Sequence, residues 1–279
     1  MSVIPQLIRL TQYLWSPFPT RLLIALVRRF PKLAIGIPPG RQVAITHYLG
    51  DLNLSIDTTY PMERKTLSGL YEAATLAVIR RFVRPGAMCL DVGANVGLVT
   101  LALAKQVGST GYVYAVEPGP PLFHRLEQNI ARNPTLAPTV HLSNIGLSDS
   151  AGTLYWNEDM RNRGNGGLLG RTGSVVPVDT IDHFVAQQKI TRLDFVKIDV
   201  EGMEEQVIRG GTTTWATLRP VLYYETFQAF RYRHGDDSFQ AIAVLLAARN
   251  YSLFALRGGT LIPASVDHLS DNTLAIPNG

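Results

Sequence analysis

CLDVGANVGLVTLALA, residues 89–104, changes period in its middle, and the change falls on a glycine turn. Up to Val92 the run is apolar except for Asp91, as a strand buried on both faces requires. From Val96 the aliphatic residues and alanines continue for about three helical turns, and Gly108 ends them. Gly93 and Gly97 sit at the junction. A strand that turns through glycine into a helix N-terminus presents unpaired amides and the positive end of the helix dipole at the carboxyl edge of a sheet. The stretch therefore predicts a ligand-binding strand–turn–helix unit inside an α/β domain.

Outward from it, β-branched and aromatic runs alternate with helical patterns, the signature of a mostly parallel sheet with crossover helices. GYVYAVE (111–117) is a second strand, PLFHRLEQNIARN (121–133) a helix opened by Pro120 or Pro121, and TVHLSN (139–144) a third strand. GTLYWN (152–157) reads as an extra strand. Residues 158–173, with five glycines, read as an irregular loop. SVVPVDTIDHFVAQQ (174–188) is a strand and short helix, LDFVKID (193–199) the fourth main strand, and VLYYET (221–226) the fifth. YSLFAL (251–256) and NTLAIP (272–277) close the chain as a hairpin. The expectation is seven main strands with helices on both faces, a Rossmann-like fold with the strand order of a class I methyltransferase. Residues 70–279 form that domain, and residues 1–69 a helical or irregular extension.

A single cysteine, Cys89, rules out an intramolecular disulfide, and no Cys/His spacing builds a zinc site. Cys89 lies in the apolar run and reads as core. The formal charge of +4 is uneven: residues 1–50 hold Arg9, Arg21, Arg28, Arg29, Lys32 and Arg41 and no acid, leaving the remainder slightly acidic. Ile4, Leu7, Ile8, Leu14, Trp15 and Phe18 recur there at roughly helical spacing. Residues 1–30 thus read either as a lid on the main domain or as a peripheral contact with an anionic membrane surface. The longest apolar run, 22–27, is too short for a signal peptide or a bilayer span, and the expected location is cytoplasmic. No other basic run is interleaved with aromatics, so nucleic acid is not an expected partner.

Two cofactor classes use a glycine turn of this kind. A dinucleotide fingerprint counted from Gly93 needs glycine at 95 and 98, where this chain has Asn95 and Leu98. The pattern acid-x-Gly-x-x-x-Gly instead matches Asp91, Gly93 and Gly97, and looks like the first motif of S-adenosylmethionine (SAM) dependent methyltransferases. In that reading the glycines admit the methionine portion and Asp91 helps to hold its ammonium. Glu117, ending the second strand, suits both hydroxyls of an adenosyl ribose. Asn95, in the turn, Asn144, ending the third strand, and Glu72, in LYEAATL, complete the candidate cofactor set.

DFVKIDVEGMEEQVIRG (194–210), with VPVDTID before it and RPVLYYE after it, resembles the FkbM-type methyltransferases, which carry a DVGAN-G turn and a KIDVEG segment. The resemblance covers about residues 70–277. It implies SAM-dependent O-methylation of a hydroxyl on a sugar, glycolipid or polyketide. At the fourth-strand edge, DVEG stands where base-amino methyltransferases place their (N/D)-P-P-(Y/F/W) clamp.

Methyl transfer to oxygen needs an aligned acceptor and a proton acceptor. Asp199 projects from the fourth strand's carboxyl end, and Glu201 and Glu225 reach the same mouth. These carboxylates supply a general base, or Asp199 and Glu225 share a divalent cation such as magnesium. Period two puts Lys197 on the same strand face as Asp199, within ion-pair reach. His124, His141 and His183 read as surface or packing residues, His47 and His234 as substrate-side candidates. Two other readings stay open: a non-catalytic module on the same fold, and an NAD-dependent oxidoreductase using Glu117.

Overall fold

A computed structural model describes residue 29 and residues 39–67, 72–158, 166–170, 172–226, 237–257, 260–265 and 271–279. The basic segment 1–28 and His234 lie outside them, as does the side chain of His47. The strands in chain order are β1 (Gln42–Tyr48), β2 (Leu52–Asp57), β3 (Met88–Val92), β4 (Tyr112–Val116), β5 (Val140–Ser143), β6 (Gly146–Ser148), β7 (Gly152–Glu158), β8 (Gly166–Gly170), β9 (Ser174–Thr180), β10 (Phe195–Ile198), β11 (Val221–Glu225), β12 (Tyr251–Arg257), β13 (Thr260–Pro263) and β14 (Asn272–Pro277). The α-helices are α1 (Pro61–Thr66), α2 (Ala73–Phe82), α3 (Leu98–Val107), α4 (Pro120–Ala131), α5 (Ile181–Gln187), α6 (Glu204–Arg209), α7 (Thr212–Thr217) and α8 (Asp237–Ala247).

The main sheet runs β13-β12-β14-β11-β10-β3-β4-β5. β5, β4, β3, β10 and β11 are parallel, and β14 enters antiparallel between β11 and β12. After β3 the chain builds outward to β4 and β5, then returns to place β10 on the other side of β3. That reversal leaves a crevice beyond the carboxyl ends of β3 and β10, where doubly wound sheets bind ligands.

Side-chain alternation divides the core between the two faces of the sheet. Leu90, Val92, Val196, Ile198, Leu222 and Tyr224 pack with α5, α6, α7 and α8. Cys89, Val113, Phe195 and Tyr223 face α2 and α3 on the other side. Cys89 is fully buried, and burial pushes its thiol up, so it is a core residue as expected.

Three expectations are corrected. The main sheet has eight strands, because β13 forms a hairpin with β12 before β14 inserts. The glycine-rich stretch 158–173 holds β8, antiparallel to β7, in a second sheet of order β6-β9-β7-β8. Ladder hydrogen bonds come from the backbone, so glycine does not prevent pairing when a partner strand is in place. Part of the extension read as helical or irregular is the β1–β2 hairpin. Val43, Ile45, Leu52, Leu54 and Ile56 alternate inward and share a core with Ala94, Val96, Leu122 and Leu126.

Two asparagines four residues apart, Asn129 in the last turn of α4 and Asn133 just beyond its end, read the edge of β2. Asn129 accepts from the Ser55 amide at 2.7 Å and donates to the carbonyls of Ser55 and Val96 at 3.2 and 2.8 Å. Asn133 accepts from the Asn53 amide and donates to its carbonyl. Their side-chain amides take the place of a neighbouring strand. Arg125 adds an ion pair to buried Glu63, which also accepts from the Asp57 amide. We expect Asn129→Ala to destabilise the protein by about 2–4 kcal/mol, since three hydrogen bonds to buried or partly buried backbone are lost. Urea unfolding checks it, and a change below about 0.5 kcal/mol contradicts it.

Candidate active site

The turn after β3 is held in place from three sides. Gly93, Asn95 and Gly97 have φ of +75°, +51° and +92°. The amides of Gly93 and Ala94 both donate to the Val116 carbonyl at 3.0 Å. A Cβ on Gly93 would stand 1.9 Å from the Asp199 carbonyl oxygen, and one on Gly97 2.7 Å from Leu126 Cδ1. The glycines therefore admit the β10 loop and α4 as neighbours, and the turn touches the loop that carries Asp199.

Glu117 closes the β4 side. One carboxylate oxygen accepts from the Asn95 amide at 2.9 Å and the other from the Gly119 amide at 2.8 Å. Each oxygen keeps a lone pair for a further donor. The side chain is 4% exposed, and burial outweighs these bonds, pushing its pKa up to about 7. Asn144 donates to the carbonyls of Glu117 and Pro118, so it fixes the strand end that presents Glu117.

Asp91 faces no cleft in this structure. It is fully buried beneath the turn, accepting from Thr100 Oγ1 at 2.7 Å and paired with Lys197 Nζ at 3.3 Å. Burial raises its pKa, and Lys197 and Thr100 oppose the rise. The expected contact with a ligand's ammonium thus gives way to support of the turn from below. Lys197 also pairs with Asp199 at 3.5 Å, the ion pair the strand period implied.

Asp199 and Glu225 come together as the sequence suggested, with Glu204 as the third member. Oxygens of these three carboxylates lie within 4.8 Å of one another. Glu201 adopts φ +57° in the same loop and acts on Glu225 through its charge. Burial, then the charges of Asp199, Glu201 and Glu204, push Glu225 up to about 10, and its side chain is hydrogen-bonded to Asp199. The raised value favours the neutral form of Glu225, while Asp199 has the Lys197 ammonium beside it. Asp199 is also more open, with 37% of its side chain exposed. Glu204 wraps the loop around itself, accepting from the Val200 amide at 3.0 Å and the Gly202 amide at 3.4 Å. Its signal in the sequence was an acid in the first turn of a short helix, indistinguishable there from an ordinary end charge.

Glu72 sits before α2 in the left-handed region at φ +59°, and its carboxylate accepts from Thr75 Oγ1 at 2.5 Å. Thr75 Oγ1 is 3.4 Å from the Tyr223 hydroxyl. Tyr48, at the end of β1, lies close enough for the Glu72 charge to add to burial in raising its pKa to about 12. Thr75, Tyr223 and Tyr48 were not picked out from the sequence, because each reads as an ordinary core position. His124, His141 and His183 are on the surface, as expected.

The methyltransferase FkbM domain matches residues 91–253, a span that runs from Asp91 through Glu117, Asp199 and Glu225. The chain belongs to this family. The hexuronic acid methyltransferase AglP of Haloferax volcanii is 31% identical over 134 residues, covering 47% of this chain and 53% of the relative. Methyltransferase sdnD of Sordaria araneosa is 29% identical over 167 residues, covering 48% and 64%. The chain thus spans about half to two thirds of these relatives. The crystal structure of an FkbM methyltransferase from Methylobacillus flagellatus has a TM-score of 0.47 at 16% identity, covering 77% of this chain and 54% of that one.

Proposed function

We propose that the chain is a SAM-dependent O-methyltransferase acting on a hydroxyl of a sugar or of a sugar-bearing lipid or polyketide. The observation that carries this reading is convergence. The glycine turn, the Glu117 carboxylate and the Asp199 carboxylate follow the carboxyl ends of β3, β4 and β10, adjacent strands at a reversal of strand order. The residues fit the cofactor: Glu117 offers acceptors to a vicinal diol, and the Asp199, Glu204 and Glu225 carboxylates gather at the neighbouring strand ends. When bound, SAM supplies a methyl group for in-line transfer to oxygen. Glu117 would hold the ribose, Glu72 the methionine ammonium, and Asp199 the proton of the acceptor hydroxyl. The printed name of AglP supports a sugar as acceptor.

The Asp199, Glu204 and Glu225 oxygens are a hard ligand set of the kind that suits magnesium, and a second reading makes them cation ligands that acidify the acceptor. One experiment tests both. The protein is incubated with methyl-labelled SAM and fractionated glycans, lipids and small metabolites. Label in a sugar-containing fraction supports the proposal; binding of SAM with no labelled fraction favours a non-catalytic module. Loss of labelling in EDTA, restored by magnesium, favours the cation.

Glu117 also predicts a pH dependence. In the free protein it holds its proton up to about pH 7. Ribose donors favour the carboxylate, so cofactor binding competes with that proton. Affinity for S-adenosylhomocysteine (SAH) should fall between pH 8 and 6, by up to about tenfold per unit below 7. Glu117→Gln should flatten the profile, as calorimetry at each pH would show. Fold stability runs the other way: this group's contribution is present below its ordinary value of 4.5 and is lost as pH rises to about 7.

A further inference from the structure

β10 is a central strand whose four residues are all buried, and its third residue is Lys197. Such a position ordinarily takes an aliphatic side chain, because a buried ammonium is costly unless its donors are met. Here all three are. Lys197 Nζ donates to the Gly93 carbonyl at 2.8 Å, and lies 3.3 Å from Asp91 and 3.5 Å from Asp199. Register puts Lys197 directly between Asp91 on β3 and Tyr223 on β11. Neutralising Asp91 would need only one of these contacts. The other two reach the turn on the cofactor side and the carboxylate on the acceptor side, which already touch where the Asp199 carbonyl approaches Gly93.

We propose that Lys197 is a positioning residue that fastens the glycine turn to Asp199, so that one side chain sets both the cofactor cradle and the place of the proton acceptor. The inference rests on the SAM reading. It predicts that shape of the turn, and with it cofactor affinity, depends on a donor at the Lys197 ammonium position and not merely on cancelling the charge of Asp91.

The test is calorimetric titration with SAH and thermal melting of wild type, Asp91→Asn/Lys197→Met and Asp91→Asn/Lys197→Gln. Both double variants remove the buried pair together, avoiding the unpaired carboxylate that Lys197→Met alone would leave. The expected result is melting near wild type for both, with SAH affinity weakened about tenfold or more in the methionine variant and largely kept in the glutamine variant, whose amide can still donate to Gly93. Equal, wild-type affinity in both would overturn the proposal. A crystal structure of the wild type with SAH serves if a variant fails to fold: Lys197 still donating to the Gly93 carbonyl beside Asp199 supports it, and Lys197 turned away overturns it. If the wild type itself does not bind SAH, the cofactor reading has failed instead.

Discussion

Asp199→Asn should slow methyl transfer by about 10²–10⁴-fold while SAH binds within about threefold of wild type. The amide keeps the shape of the side chain and can still accept from Lys197, so the turn and the loop stay in place. What it removes is a basic oxygen at the mouth of the crevice. The neighbouring carboxyls do not replace it, since Glu225 holds its proton and Glu204 is engaged with the Val200 and Gly202 amides. Single-turnover rates with labelled SAM, alongside calorimetry with SAH, check both halves. A rate equal to wild type would remove Asp199 from the chemistry. Glu225→Gln separates the base from the cation reading: replacing an already protonated carboxyl changes the rate by no more than about threefold, whereas loss of a cation ligand costs far more.

Gly93→Ala should weaken SAH binding by about 100-fold or more and destabilise the fold by roughly 2–4 kcal/mol. Two independent penalties act at this position. The backbone sits at φ +75°, which side chains other than glycine rarely adopt, and the added carbon would lie 1.9 Å from the Asp199 carbonyl. The obstruction is backbone, so no rotamer change relieves it, and either the turn or the β10 loop must move. Both carry the site. Calorimetry and thermal unfolding measure the two effects; affinity within about threefold of wild type would show that the turn does not shape the cofactor site.

The parallel core of the fold was legible because its signals are local. An apolar run ending in D-x-G, a strand ending in Glu-Pro, and KID followed by a glycine loop each mark a strand end, and three strand ends at one sheet edge define the crevice. The β1–β2 hairpin was missed, although Val43, Ile45, Leu52, Leu54 and Ile56 alternate as a half-buried strand pair does. Basic residues and the helical spacing upstream drew the reading of the whole extension toward helix. β8 could not be read, since nothing in a glycine-rich stretch announces a strand whose partner, β7, supplies its order. Within the site, the sequence brought Asp199, Glu201 and Glu225 to one mouth and did not pick out Glu204. The αL conformations of Glu201 and Gly202 turn the loop back so that the later glutamate returns to the mouth. Asp91 illustrates the opposite limit: a motif residue whose pairing with Lys197 and Thr100 buries it under the turn.

We propose that the crevice between Gly93, Glu117 and Asp199 binds an adenosyl cofactor of the SAM class. Calorimetric titration of the wild type and Glu117→Ala with SAH, SAM and NAD tests it most directly. The expected result is binding of SAH and SAM but not NAD, and a loss of about 2–4 kcal/mol in the variant, the worth of two hydrogen bonds to a charged acceptor. Binding of NAD without SAH, or undiminished SAH binding by Glu117→Ala, would contradict it.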